Sequence, residues 1–172
     1  MTAAILASCG ASGKAGKPQR VYLPGYDMLR TPDPNVTRGW GMGTSKDRSL
    51  AQSIALTEAA GQIANNIETA VSSTAESYST TSKKFFQSKT HLASKQSLNL
   101  STIVFTKWEG PDKQGQWTCY IVRELSLKTF TTLLENTIKE DQNNTDVNFD
   151  AEVFNNIFME KIHQASKQTL QP

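Results

Sequence analysis

The clearest alternation of apolar and polar positions runs over residues 50–71. Apolar residues recur there at steps of three and four, which is the spacing of one face of an α-helix. The stripe consists of Leu56, Ala60, Ile63, Ile67 and Val71, and Leu50 and Ile54 extend it upstream. We therefore predict a long amphipathic helix that buries this stripe, with Thr44 or Ser45 as its N-cap.

Small residues in two places predict close packing of backbones. Gly39-Trp40-Gly41-Met42-Gly43 alternates glycine with large residues, which is typical of a short strand that another backbone approaches closely. Ala59, Ala60 and Gly61 form a small-residue patch on the predicted helix. Gly61 costs a helix about 1 kcal/mol relative to Ala, so we expect close packing at Gly61 to offset that cost.

A β-hairpin is predicted further along the chain. Residues 100–107 and 117–125 alternate in polarity and are rich in β-branched residues. Residues 110–115, which join them, have the Gly, Pro and Asp composition of a turn. Trp108 and Trp117 flank this turn, and we predict that they form a cross-strand aromatic pair.

Three more helices are predicted, one before the hairpin and two after it. The first rests on Phe85, Phe86, Leu92 and Ala93 and ends near Ser97. The other two have N-caps with flanking hydrophobic staples, which are Ser126 with Leu125 and Phe130, and Asp150 with Phe149 and Phe154. The last helix buries Phe154, Ile157, Phe158, Ile162 and Ala165. Over the Ser/Thr-rich residues 72–82 the long helix either continues or bends, and residues 141–148 form a polar loop.

Together these elements predict an α+β protein, with an antiparallel sheet of about three strands and helices packed on one face. Residues 1–20 are small and polar and predict a flexible tether, residues 21–37 an irregular lead-in, and residues 38–172 a single domain. The formal net charge is only +2 and the lysines are dispersed, which argues against a nucleic-acid groove. No segment approaches the length of an apolar membrane-spanning helix.

Recognisable catalytic and metal-binding patterns fail on their spacing. Neither Gly10–Lys17 nor Gly39–Gly43 completes a phosphate-binding or dinucleotide-binding fingerprint. His91 and His163 are far apart and are interpreted as surface or boundary residues, and Cys119 as a buried structural thiol. We therefore predict no catalytic residues, no metal site and no cofactor.

Leu6-Ala7-Ser8-Cys9 has the layout of a bacterial lipobox, in which an aliphatic residue and two small residues precede a cysteine. The thiol of such a cysteine takes a diacylglycerol, and the small residues admit the signal peptidase. We predict lipidation of Cys9. Residues 1–8 are shorter than a complete signal peptide, whose apolar core alone takes about 7–15 residues, so this interpretation requires a longer start of the chain. The alternative is a cysteine without function in an N-terminal tail.

The chain resembles the LPP20-type bacterial lipoproteins in its glycine-rich strand at 39–45 and in the segment LAQSIALTEAAGQIANNIE at 50–68. The hairpin STIVFTKWEGPDKQGQWTCYIVREL is similar to a later strand pair of that family. The resemblance covers about Arg38 to Phe130. It implies an α+β envelope lipoprotein, without catalytic residues to transfer, that is anchored through Cys9. Gly10 after the cysteine is compatible with the outer membrane, facing the periplasm.

These observations favour a non-enzymatic envelope lipoprotein with a structural or protein-interaction role, which associates with the membrane, with other envelope proteins or with itself. One alternative is a periplasmic small-molecule-binding or enzymatic domain with a pocket rimmed by Trp40, Trp108 or Trp117. These three tryptophans are also the predicted interaction surface. Another alternative is an adaptor whose hairpin edge pairs with a partner strand.

Overall fold

The computed structural model describes residues 23–31, 33–76, 83–141 and 151–168. Within these ranges the chain has five helices and one three-stranded antiparallel sheet, which confirms the predicted α+β class. In chain order the elements are α1 (Asp27–Arg30), β1 (Val36–Ser45), α2 (Arg48–Glu76), α3 (Lys83–Asn99), β2 (Thr102–Glu109), β3 (Trp117–Ser126), α4 (Leu127–Asp141) and α5 (Ala151–Gln168).

Several predictions fall on residues that the structure does not describe. The tether over residues 1–20 and the cap at Asp150 lie outside the described ranges, as does residue 142 onward of the loop predicted at 141–148. Whether the long helix continues or bends over residues 72–82 is answered in part, because α2 continues to Glu76.

The sheet has the strand order β1-β3-β2, so β3 is central and the other two strands are its edges. Both pairings are antiparallel, and the predicted hairpin is the β2–β3 pair. The register places Trp40 opposite Val122 and Trp108 opposite Cys119. β2 carries an irregularity between Ile103 and Phe105, which is typical of an edge strand.

β1 lies directly against the N-terminal half of α2. Carbonyl oxygens of three buried alanines occupy the space that a Cβ on three strand glycines would need. The pairs are Gly39 with Ala59, Gly41 with Ala55, and Gly43 with Ala51. Alanines four apart share one helix face and glycines two apart share one strand face, so the two elements stay in contact along their length. This confirms the predicted close approach of another backbone.

The buried face of α2 differs from the predicted stripe in its first half. Leu50 and Ile54 are 53% and 41% exposed, so the prediction that they extend the buried stripe is wrong. Only small side chains fit against the glycine strand, and α2 therefore directs its alanines there and its large residues sideways. The expectation for Gly61 is also wrong, because Gly61 is exposed and a Cβ there would meet open space. Further along, the predicted Ile63, Ile67 and Val71 are buried.

Two helix starts show which side chain caps them. Asp47, and not the predicted Thr44 or Ser45, caps α2, since its Oδ1 accepts from the amides of Ser49 at 2.7 Å and Leu50 at 3.1 Å. The predicted cap of α4 is confirmed, because Ser126 Oγ accepts from the Thr129 amide at 3.4 Å. A carboxylate suits the α2 start because it also opposes the positive end of the helix dipole.

The main core lies where α2 to α5 meet the end of β3. Phe158 is fully buried at its centre, with its ring centroid 5.1 Å from that of Phe130 and 6.0 Å from that of Phe154. Leu125 and Phe130, the predicted staple of α4, belong to the same cluster. This core stabilises the helical half of the domain and leaves the β2 side of the sheet outside it.

The opposite face of the sheet is covered by the lead-in segment at residues 23–31. Its apolar side chains pack on Trp40, Tyr120 and Val122. Arg38 fixes the segment, because its guanidinium bonds Glu124 Oε2 at 2.7–2.8 Å and donates to a carbonyl oxygen of the segment, that of Met28, at 3.1 Å. β1 begins at Val36, ahead of the predicted domain start at Arg38.

Candidate interaction site at the sheet edges

The outer edge of β1 is closed by two side chains of α2. The Trp40 amide donates to Gln62 Oε1 at 2.9 Å, and the Met42 amide donates to Glu58 Oε2 at 2.7 Å. Four residues of helix rise about 6 Å and two residues of strand about 6.6 Å, so acceptors spaced i, i+4 match donors spaced i, i+2. The helix therefore supplies the acceptors that a neighbouring strand would otherwise provide.

The same alternation identifies the outward backbone groups of β2. The backbone amides of Trp40 and Met42 bond outward to α2, so the backbone of Gly41 between them bonds inward to β3. The registers of the β1–β3 and β3–β2 pairs then show which residues of β2 bond to β3 and which face outward. Lys107 is opposite Tyr120 and therefore bonds to β3, whereas Thr106 and Trp108 direct their backbone N–H and C=O groups outward. No element among the described residues pairs with this side of β2. We call these outward groups and the strand that carries them the β2 edge.

Exposed apolar side chains accompany the β2 edge. Ile103 and Val104 are 48% and 38% exposed, and Leu100 just before the strand is 58% exposed. Proteins ordinarily protect an edge strand with charges, a bulge or a covering element. β2 has a charge at Lys107 and an irregularity at Val104, but its apolar residues remain accessible. Such residues next to unpaired backbone are the features of a surface that accepts another strand.

A small polar cluster lies at the turn end of β2. Lys107 Nζ is 2.9 Å from Glu109 Oε1, and the Tyr120 hydroxyl donates to Glu109 Oε2 at 3.1 Å. The hydrogen bonds from Lys107 and Tyr120 lower the pKa of Glu109 below its ordinary value. Burial, with a contribution from Glu109, raises the pKa of Tyr120. The cluster therefore keeps a carboxylate and an ammonium side by side on one face of the β2 edge.

Trp108 and Trp117 hold a cation between them instead of forming the predicted cross-strand pair. The Arg48 guanidinium carbon lies 4.7 Å from the Trp108 ring centroid and 4.6 Å from that of Trp117. The predicted direct pair is wrong because the register sets Trp108 opposite Cys119, two residues beyond Trp117. Arg48 is at the start of α2, so this contact ties the turn end of the hairpin to the helix.

The third predicted tryptophan is separate from the other two. Trp40 is only 9% exposed and faces the lead-in segment, where its Nε1 donates to the Pro24 carbonyl at 2.9 Å. Its ring packs edge-on to Tyr26, with 5.7 Å between centroids. Trp40 and Trp108 belong to opposite faces of the sheet, since strand residues alternate between faces. The structure therefore brings Trp108 and Trp117 together and places Trp40 elsewhere.

Cys119 is fully buried, as predicted for a structural thiol. Burial raises the pKa of its thiol, and the charge of Arg48 opposes this effect. A raised thiol pKa disfavours the reactive thiolate. Within the described part of the chain, no group of three or more His, Cys, Asp or Glu side chains is placed to hold a metal ion.

A cleft between α2 and α3 contains His91. Its volume is about 240 Å³, and its walls include Glu68, Val71, Ser72 and Thr90. His91 is exposed, as predicted, and its Nδ1 is 3.9 Å from Glu68 Oε1. The buried Thr90 hydroxyl has no hydrogen-bond partner in the described part of the structure.

The predicted lipidation site, Cys9, lies outside the described residues. The described helices include none that is long and apolar enough to cross a membrane. No family model, curated protein or solved structure matches the chain. The resemblance to LPP20-type lipoproteins therefore stays a prediction.

Sequence reasoning missed the residues that distinguish the two edges. Glu58 and Gln62, which bond to β1, and Arg48, which contacts the hairpin, are not among the predicted site residues. The signal was present in the alternating glycines, which predict a helix close to β1 and hence polar helix residues at its edge. For Arg48, neither periodicity nor spacing indicates that it lies near the hairpin.

Proposed function

We propose that this chain is a non-enzymatic lipoprotein of the bacterial cell envelope that binds other proteins through its β2 edge. Lipidated Cys9 holds it in the outer membrane, with the domain in the periplasm. The partner contributes an extended strand, either from another envelope protein or from a second copy of the chain. The β2 edge supplies the hydrogen bonds of this association, and the exposed side chains around it supply the selectivity.

The observation that carries this proposal is the difference between the two edges. At β1, the outward amides of Trp40 and Met42 are bonded to α2 side chains. At β2, none of the described strands lies beside the outward groups of Thr106 and Trp108, and Ile103 and Val104 are accessible. A domain that closes one edge and leaves the other with unpaired backbone and apolar residues is equipped to add a strand there.

The start of the described chain supports an anchor close to this edge. Leu23 packs in the same cluster as Phe105 of β2, and Gly25 lies against the Phe105 ring. Leu23 lies 14 residues after Cys9, so the chain between them spans at most about 50 Å when fully extended. A triacylated cysteine attaches firmly, since each buried CH₂ contributes about 0.8 kcal/mol. The proposed anchor therefore keeps the β2 edge within that distance of the membrane surface.

Membrane fractionation tests the anchor. Expressed from its complete reading frame in a bacterial host, the chain is expected in the membrane fraction, and Cys9→Ala is expected to release it into the soluble fraction. The matched control is Ser8→Ala, which keeps a small residue in the lipobox and the thiol intact. Membrane association that survives Cys9→Ala contradicts lipid anchoring.

A proline substitution tests the edge. Thr106→Pro removes an outward N–H and places a ring on the open side, while the bonds from Lys107 to β3 are kept. Detergent-extracted complexes that contain the chain are expected to shrink to the monomer on a sizing column, with an unchanged melting temperature. Thr106→Ala, which removes the side chain but keeps the N–H, is expected to preserve them. Complexes that remain intact in Thr106→Pro count against strand addition at β2.

A second candidate function is the binding of a small polar molecule in the cleft between α2 and α3. The specific observation is the buried Thr90 hydroxyl without a partner, beside His91 and Glu68. Amino acids and monosaccharides, titrated at millimolar concentration, would shift the His91 ring resonances in NMR spectra. The His91→Phe variant identifies the His91 resonances by their absence from its spectrum. His91 resonances that no compound shifts contradict this candidate function.

A further inference from the structure

The charges at the turn end of β2 are arranged so that the strand is complementary to itself. Lys107 and Glu109 are two residues apart on the same strand face, with 2.9 Å between Nζ and Oε1. Both side chains are about half exposed, at 47% each. If a second copy of the strand is rotated by 180° about an axis perpendicular to the sheet, its Glu109 can lie opposite Lys107 of the first copy.

We propose that the β2 edge pairs with the β2 edge of a second copy, antiparallel and about a two-fold axis that passes beside Trp108. This inference rests on the proposed function, since it names the partner of the same edge. The product is a continuous six-stranded sheet across two copies, with Lys107 of each copy facing Glu109 of the other.

The choice of a second copy follows from the unequal edges. A head-to-tail arrangement needs β1 of one copy to accept β2 of the next, but Gln62 and Glu58 occupy the outward amides of Trp40 and Met42 in the middle of β1. Identical open edges can meet only about a two-fold axis, which makes the pairing antiparallel and closes the assembly at two copies. Among the described strands, β2 is the edge that remains available for this pairing.

Backbone alternation restricts the register of this pairing. Outward residues must face outward residues, so the axis passes beside a residue and not between two residues. The positions nearest the two charges that we compare are Thr106, Lys107 and Trp108. An axis at Lys107 sets two ammonium groups opposite each other, and an axis at Thr106 sets Lys107 opposite the apolar Phe105 of the second copy. Only an axis at Trp108 sets Lys107 opposite Glu109 twice. Opposite charges directly across a strand pair stabilise it and like charges destabilise it.

The geometry of these charge pairs is favourable. Lys107 and Glu109 bond inward to β3, so across the new interface they form a non-hydrogen-bonded pair, in which Cα atoms are about 4.5 Å apart and side chains are closest. The Tyr120 hydroxyl donates to the other oxygen of Glu109 at 3.1 Å, which leaves that carboxylate oriented along the same face. Four charges then lie at the corners of a rectangle on one face of the sheet, with opposite signs at neighbouring corners.

The paired segment is short because the strand ends at Glu109 and the turn follows. We therefore expect a weak dimer in solution, with a Kd of about 10–100 μM, as for small transient interfaces. Anchoring of both copies on one membrane raises their effective concentration toward the millimolar range. The dimer is thus expected to form mainly at the membrane surface.

Charge reversal at these two residues tests the register. Sedimentation equilibrium of the purified full chain is expected to show that Lys107→Glu and Glu109→Lys each weaken dimerisation about tenfold, since each turns two attractive pairs into repulsive ones. The double variant K107E/E109K restores opposite charges and is expected to return to within about threefold of the original Kd. Circular dichroism melting of each variant reports whether the monomer remains folded.

The outcomes separate this inference from the proposed function. A chain that stays monomeric at 1 mM, single reversals without effect, or a double variant that fails to recover each overturn the two-fold register at Trp108. If Thr106→Pro still dissociates the extracted complexes, strand addition at β2 stands and its partner is a different protein. If neither Thr106→Pro nor the charge reversals change any assembly, both ideas fail together.

Discussion

The two edge strands of this small sheet differ in the partners of their outward backbone groups. β1 carries three glycines on one face, so α2 comes close enough for Gln62 and Glu58 to reach its outward amides. β2 carries Ile103, Thr106 and Trp108 on the corresponding face, and no element in the described part of the chain pairs with its outward groups. Closure of an edge by a helix therefore depends on small residues in the strand, because they set how near the helix lies. The comparison shows how one sheet combines an edge whose central amides bond to a helix with an edge that pairs with no described element.

The largest loss of stability is expected from a substitution that separates α2 from β1. In Gly41→Ala the new Cβ would overlap the Ala55 carbonyl oxygen and lie 2.7 Å from the Ala59 nitrogen. Because both contacts are backbone atoms in a continuous helix, relief requires movement of the helix. We expect a loss of about 3 kcal/mol in the free energy of unfolding, measured by urea denaturation.

The control for that substitution is Gly61→Ala on the exposed side of the same helix. A Cβ there meets open space, and Ala has the higher helix propensity, so we expect a gain of about 1 kcal/mol. Equal stability of Gly41→Ala and the original chain would show that the glycine strand is not what brings α2 close.

A second, smaller effect is expected at the open edge. Arg48→Ala removes the cation between Trp108 and Trp117, and with it the contact that ties the hairpin to the start of α2. We expect a loss of about 1 kcal/mol in the free energy of unfolding, from two partly exposed cation–π contacts. Arg48→Lys should lose less, because the ammonium still interacts with the rings. A loss in Arg48→Ala that persists in a Trp108→Leu background would mean that the Trp108 contact contributes nothing.

The sequence predicted the closed edge better than the open one. Alternating glycines at 39–43 indicated a close backbone, and β-branched runs joined by a turn indicated the hairpin. Both signals are local, because each depends on residues within a single strand or turn. The α+β class and the three-stranded sheet follow from them.

What sequence patterns could not supply was the partner of each element across the fold. Leu50 and Ile54 have helical spacing, but their exposure depends on the glycines of a different element. The same is true of Arg48, whose tryptophans are about sixty and seventy positions away in the chain. The periodicity of apolar residues predicts that a segment is helical. Which face of the helix is buried depends on the elements that pack against the helix.

A third prediction concerns the two side chains that close β1. Glu58→Ala leaves the Met42 amide without its protein acceptor, and water can replace it at this exposed position. The free energy of unfolding is expected to fall by only about 0.5 kcal/mol, the low end for one hydrogen bond. Amide hydrogen exchange is the sharper measurement: Met42 should exchange faster in the variant while Trp40, held by Gln62, is unchanged. In the unmodified monomer Thr106 and Trp108 should already exchange fast, and protection equal to that of Trp40 would contradict an open edge.

The smallest effect is expected in the titration of Glu109, which tests the charge cluster on the β2 edge. Its pKa is lowered first by the hydrogen bond from Lys107 and then by that from Tyr120. A lowered carboxyl pKa contributes stability that is present above its ordinary value and is lost as the pH falls through the folded pKa. Because the Glu109 side chain is about half exposed, solvent screening keeps this contribution small. NMR titration of its side-chain carboxyl should show the pKa rising toward the ordinary value in Tyr120→Phe and rising further in Lys107→Ala. The reverse order would mean that the buried hydroxyl, and not the neighbouring ammonium, holds the carboxylate, and would weaken the charge argument for the β2 edge.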